Sequence, residues 1–200
     1  MKNIINSFLA GVSISIGGFA FLSSDSKLIG AVLFSIGLFL ICTMRYNLFT
    51  GKVCYLFSNK EINFAFICVV LVANFLGTAF MGWMTRLMKP DLIAVANKIC
   101  ENKLHEGVTV IPLAMLCNVL IFYAVHEFAN NEHLLGKYMA TVMCVVVFII
   151  CGFEHCIANM YYFSVADYTD GSIGYLLMNI VGNALGGIII YRLDVIRNRE

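Results

Sequence analysis

Residues 152–160 read GFEHCIANM and lie inside an apolar run that extends from about Tyr138 to Phe163. The apolar part up to Ile150 is about 13 residues, or roughly 20 Å of helix. The polar cluster therefore falls well inside a hydrocarbon layer about 30 Å thick. A helix interrupted at that depth frees backbone N–H and C=O groups, each costing several kcal/mol unless protein or water satisfies it. Such a break has to face a cavity, and that requirement sets the reading of the rest of the chain.

Composition agrees with a membrane setting. Of 200 residues, 60% are apolar, only 12% are charged and just two are proline, far from the roughly 25% charged residues of soluble domains. A net charge of +1 with no run of Lys and Arg gives nucleic acid no recognition surface. Eight cysteines are present, but Cys42, Cys68, Cys117, Cys144 and Cys151 fall in apolar runs, where a thiol behaves as a small hydrophobe. The opening stretch has a lone Lys2 before an apolar run longer than a signal-peptide core, so it reads as a first span.

Six stretches are long and apolar enough to cross: Ile4–Leu22, Leu28–Leu48, Phe64–Met84, Val108–Val125, Tyr138–Phe163 and Ile173–Tyr191. Between the third and fourth, Asp91–Cys100 has apolar residues at helical spacing but is too short to span, and reads as an interfacial helix. An even number of spans puts both termini on one side. The segments of that side carry Lys2, Lys52, Lys60, Lys137, Arg192, Arg197 and Arg199 against Lys27, Arg86, Lys89, Lys98 and Lys103 on the other. The positive-inside bias points to cytoplasmic termini in the cell inner membrane.

The second span is interrupted like the fifth: Leu28–Met44 is apolar, RYNLFTGK breaks it, and VCYLF resumes. Asn74-Phe75-Leu76-Gly77 and Asn183-Ala184-Leu185-Gly186 share Asn-x-x-Gly about 109 positions apart, and Asn47 and Asn159, at the two breaks, are about 112 apart. Three spans per half require the second half to insert upside down. The expected architecture is a single all-α membrane domain, residues 1–200, of six transmembrane helices in two inverted three-helix repeats, roughly 1–90 and 104–200, with helices two and five broken.

Two breaks in inverted halves bring half-helix ends to the midplane, where N–H groups favour anions and carbonyls favour cations. His155 is the imidazole inside a break; it reads as a satisfied core group or as a donor to a passing anion, and the adjoining Gly152 tilts the choice to the anion. Glu154 reads as a clamp on the break or as a proton carrier, and a bare carboxylate is a poor lining for an anion path. Asn159 is expected to satisfy freed backbone groups, Thr50 to supply a hydroxyl from the other break. Lys103 is a vestibule charge or a solvated loop lysine. Arg45 has to snorkel, pair or line the path.

GFEHCIANM at 152–160 and NLFTG at 47–51 resemble the signatures of the formate/nitrite transporter family, as do LCN at 116–118, ANFLG at 73–77 and GNALGG at 182–187, in the family's order. The resemblance implies a homopentamer of six-helix, aquaporin-like protomers embedded in membrane lipid, each passing small monovalent weak-acid anions such as formate, nitrite, hydrosulfide or lactate. It makes His155 the central pore histidine, Thr50 the threonine of the opposite loop and Asn118 the pore-lining asparagine. It places Lys103 near the family's lysine before that asparagine, and Phe34, Leu38, Leu48, Phe49, Ile121 and Phe148 in two hydrophobic slits. No enzymatic activity, metal, nucleotide or other cofactor is implied.

Two departures stand out. Arg45-Tyr46-Asn47 precedes LFTG where the family commonly has an acidic residue, and Cys156 follows the histidine in place of the usual serine. An aquaporin-type channel for neutral solutes shares the architecture, but its paired Asn-Pro-Ala loops are missing: Pro90 and Pro112 lie outside both breaks. A membrane enzyme using Cys151, His155 and Cys156 as ligands would need a spacing that is not a standard zinc pattern.

Overall fold

The computed structural model describes residues 1–58, 61–167 and 170–198. Lys60 and Arg199, two of the charges used for orientation, lie outside the described residues. Within them the chain is helical throughout: α1 (Lys2–Leu22), α2 (Lys27–Met44), α3 (Phe49–Val53), α4 (Phe64–Met88), α5 (Asp91–Leu104), a 3-10 turn at Gly107–Thr109, α6 (Val110–Asn130), α7 (Leu134–Ile150), α8 (Cys156–Val165) and α9 (Ser172–Arg197). Five helices, α1, α2, α4, α6 and α9, are long and apolar enough to cross a membrane, while the apolar α7 has 17 residues and is continued past the break by α8.

The side chains are distributed as lipid demands. Ile29, Val32, Leu33, Val72, Leu76 and Trp83 are exposed on the flanks, whereas Ser7, Ser15, Asn74, Thr78, Asn118, Asn179 and Asn183 are buried. In hydrocarbon the outer surface has nothing to hydrogen-bond with, so polar groups turn inward to find partners.

α1 packs against α2 and α4, and α6 against α7 and α9; α2 meets α7 between these groups. Gly77 lies against the backbone of Phe8, and Gly186 against the backbone of Met115, with no room for a Cβ at either position. These glycines let helices touch main chain to main chain, the association that membranes favour when apolar burial offers no drive. The short helices cross over: α3 seats on α6 and α9 besides α4, and α8 seats on α4 and α1 besides α9.

The first break is shorter than its polar segment suggested, and the second matches CGFEH. α2 ends at Met44 and the chain is helical again at Phe49, so FTGKV lies inside α3, and the VCYLF segment expected to resume the span continues mainly as turns. The other break covers Cys151–His155. Gly152 adopts a positive φ of 71°, and Arg45 adopts a φ of 57° at the end of α2. Gly152 enters the left-handed region freely, and Arg45 does so at a steric cost of about 1–2 kcal/mol. α5 continues four residues beyond Cys100, where Glu101, Lys103 and Leu104 are good helix formers, so Lys103 is helical and not a loop residue.

Candidate functional site

At each break an amide freed by the restarting helix is taken by a buried asparagine from a neighbouring helix. Asn74 Oδ1 accepts from Phe49 N at 2.8 Å, and Asn183 Oδ1 accepts from Cys156 N at 2.8 Å. The same asparagines donate through Nδ2 to two backbone carbonyls each: Asn74 to Ser7 and Asn47, Asn183 to Ala114 and Glu154. The carbonyls in matching positions are those of Asn47 and Glu154, so Asn47 and Asn159, paired by sequence spacing, are not equivalent in this pattern. The Asn-x-x-Gly motif marked the anchors, but nothing in its spacing gave their partners.

His155 precedes α8 and caps it. Its Nδ1 accepts from Ala158 N at 3.2 Å, and its Nε2 lies 3.1 Å from Thr50 Oγ1, the two side chains meeting across the breaks in the buried interior. With Nδ1 occupied as an acceptor, the proton of a neutral imidazole sits on Nε2 and points at Thr50. The Phe148 ring stacks on the imidazole with centroids 5.9 Å apart, and Phe34 meets Phe148 edge-on at 6.0 Å.

Glu154 is almost wholly engaged. Lys103 Nζ donates to both its carboxylate oxygens at 2.6 Å, Asn159 Nδ2 donates to Oε2 at 2.6 Å, and its carbonyl accepts from Asn179 and Asn183. Asn159, expected to satisfy freed backbone, bonds instead to side chains, donating to Glu154 and to Asn179 Oδ1. Asn118 donates to the Asn183 carbonyl at 2.8 Å, and its Oδ1 is buried without a partner among the described residues.

Two cavities open toward opposite ends of α2. One, of about 320 Å³, is lined by Lys27, Phe34, Lys103, Glu106, Phe148, Gly152, Glu154 and His155. The other, of about 440 Å³, is lined by Ile41, Arg45, Leu48, Lys52, Tyr55 and Lys137 among others. Leu38, Phe49 and Ile121 are buried and line neither cavity. Arg192 donates to the Phe57 carbonyl and Asn47 N to the Asn6 carbonyl, so the start of α1 and the end of α9 both reach the face of the larger cavity. Among the described residues no group of three or more His, Cys, Asp and Glu is placed to hold a metal, and Cys151 is exposed while Cys156 is buried.

The family model described as formate/nitrite transporter matches residues 1–194. The chain belongs to that family. Members of the formate/nitrite transporter family move solutes and are not enzymes. A probable formate transporter of Methanothermobacter thermautotrophicus is 25% identical, the match covering 94% of this chain and 84% of that protein. Among solved structures, an FNT family ion channel superposes with a TM-score of 0.89 at 23% identity, over 98% of this chain and 90% of that one. A pentameric formate channel with formate bound gives 0.84 at 23% identity, covering 100% and 97%. The fold is that of these channels: all-helical among the described residues, with five helices long and apolar enough to cross a membrane.

Proposed function

We propose that this transporter passes small monovalent weak-acid anions, formate, nitrite or hydrosulfide, through a pore in each protomer of a homopentamer, with both termini cytoplasmic and the chain in the inner membrane. Residues 1–90 and 104–200 form two inverted halves, a reading supported by the matched asparagine anchors at the breaks. Formate-bound and pentameric relatives of the same fold support the substrate class and the assembly.

The observation that carries the mechanism is the Thr50–His155 contact, with the far ring nitrogen already spent on the backbone. A bare anion entering apolar surroundings loses hydration worth many kcal/mol. Phe34 and Phe148 on one side and Leu48 with Leu38, Phe49 and Ile121 on the other form the hydrophobic slits that impose this loss. Nε2–H of His155 and the Thr50 hydroxyl are the two neutral donors that replace water at the crossing point. A second proton on the ring would have to go to Nδ1 and would break the cap on α8, so the substrate shares the Nε2 proton and does not leave an imidazolium behind. Lys103 lies at the approach from the smaller cavity, neutralised by Glu154, and Asn118 keeps a free Oδ1 beside the path that accepts from the protonated form of the substrate.

His155→Asn tests this. Asparagine is a good N-cap and keeps α8 in place, but it lacks the imidazole proton. In proteoliposomes the formate and nitrite flux of the variant is expected to fall and its pH profile to change, with the assembly mass by native mass spectrometry unaltered. An unchanged profile would remove His155 from the mechanism. Flux of water or glycerol without any of the three anions would move the protein to a neutral-solute class.

A further inference from the structure

We infer that the larger cavity, on the face reached by both chain ends, is a binding site for a small organic anion carrying two or three negative charges, which occludes the pore when seated. It rests on the transport reading only for its effect on flux. The lining contains three cations, Arg45, Lys52 and Lys137, and no carboxylate. The opposite cavity balances Lys27 and Lys103 with Glu106 and Glu154. Carboxylates on the flanking helices are engaged elsewhere: Glu127 by Asn131 at 3.0 Å and Asp194 by Arg197 at 2.8 Å. None of the three cationic side chains has a hydrogen bond or ion pair among the described residues.

Size and charge both exceed what a monovalent ion needs. A volume of about 440 Å³ lies within the roughly 300–1,000 Å³ of ligand pockets, whereas formate has three heavy atoms. Three cations around one cavity act together on a single ligand, and their joint field favours a multivalent anion over a monovalent one. Arg45 offers a planar fork suited to carboxylate or phosphate oxygens. Its left-handed backbone at the end of α2 sets that side chain at the cavity. Apolar Ile41, Leu48 and Phe128 also line it, which suits a carbon skeleton. Leu48 immediately precedes Phe49 and Thr50, so a ligand resting on it covers the way to the Thr50–His155 contact.

Binding of inorganic pyrophosphate and of citrate to the detergent-solubilised full chain, followed by titration calorimetry, tests the site without reference to flux. Both should bind, citrate the more tightly, and the dissociation constant of each should rise about tenfold in Arg45→Gln and in Lys137→Gln, a loss of about 1.4 kcal/mol. In phosphatidylcholine vesicles, formate flux should be inhibited by pyrophosphate added on the side of the termini and not on the other, each variant compared with its own flux without pyrophosphate. Absence of binding at millimolar citrate overturns the inference, as does inhibition matched by chloride at equal ionic strength. Inhibition appearing only when phosphatidylglycerol is added assigns the cations to a lipid headgroup and overturns the soluble ligand. A protein that binds pyrophosphate but passes none of formate, nitrite and hydrosulfide keeps the site and sinks the transport reading.

Discussion

The imidazole of His155 serves two partners on opposite edges of one ring, a backbone amide of its own helix and a hydroxyl from the other break. Its role was legible as a choice between core and ligand; the tautomer was not, because it depends on Ala158 N, which only the restarted helix directs at Nδ1. Asn183 shows the reverse case. The sequence marked it as a repeat element, but it holds Cys156 N, the Glu154 carbonyl and the Ala114 carbonyl at once. Asn183→Ala strands the buried Cys156 N–H, at about 1–3 kcal/mol, and takes one bond each from the Ala114 carbonyl and from the Glu154 carbonyl, which keeps Asn179. Thermal unfolding in detergent should show a clear fall in Tm, and a surface substitution such as Leu185→Ala, on the lipid-exposed side of the same helix, should move it far less.

At the scale of elements, α5 is tied to α8 at both ends. Lys103 grips Glu154 just before α8 begins, and Asn97 grips Asp167 just after it ends, donating at 2.9 Å and accepting from Asp167 N at 2.8 Å. Arg86 of α4 completes the far end, donating to the Val165 and Ala166 carbonyls and to Asp167. The periodicity of Asp91–Cys100 was enough to find α5 but not its use, since the partners lie about 50 to 70 positions away in sequence. Lys103→Met leaves a nearly buried carboxylate unpaired and should destabilise the fold by about 3–5 kcal/mol. Adding Glu154→Gln should recover most of that loss, and a double-mutant cycle on Tm that shows simple additivity would contradict the pairing.

The opposite end of that strap responds to acid. Asn97 and Arg86 hold the Asp167 carboxyl below the ordinary aspartate range. A group with a depressed native pKa contributes stability above its unfolded value and loses that contribution as pH falls through the native one. Hydrogen exchange in the last turn of α8 should therefore be pH-independent in its opening equilibrium from neutral down to about pH 4 and rise below it. In Asp167→Asn the rise should vanish.

For the whole molecule, the alternation of apolar stretches with polar breaks displayed the class of fold, because the requirement to satisfy backbone groups in lipid leaves few solutions. The interleaving of the halves was hidden: contact between α3 and α9 is a property of two distant segments, and no local pattern encodes it. Co-expression of residues 1–90 with residues 91–200 as separate chains should give a stable complex only when both are present. Recovery of the first piece alone in a protease-resistant form would contradict the interlock.

The crossed seating of α3 and α8 also has a consequence for biosynthesis. When α1 to α4 have left the ribosome, α3 still lacks the α6 and α9 surfaces on which it rests, and Thr50 has no imidazole to meet. The face of α3 that meets α6 and α9 thus stays uncovered until the last helix arrives. The Thr50–His155 contact is thus among the last to form as the chain is made from its amino end.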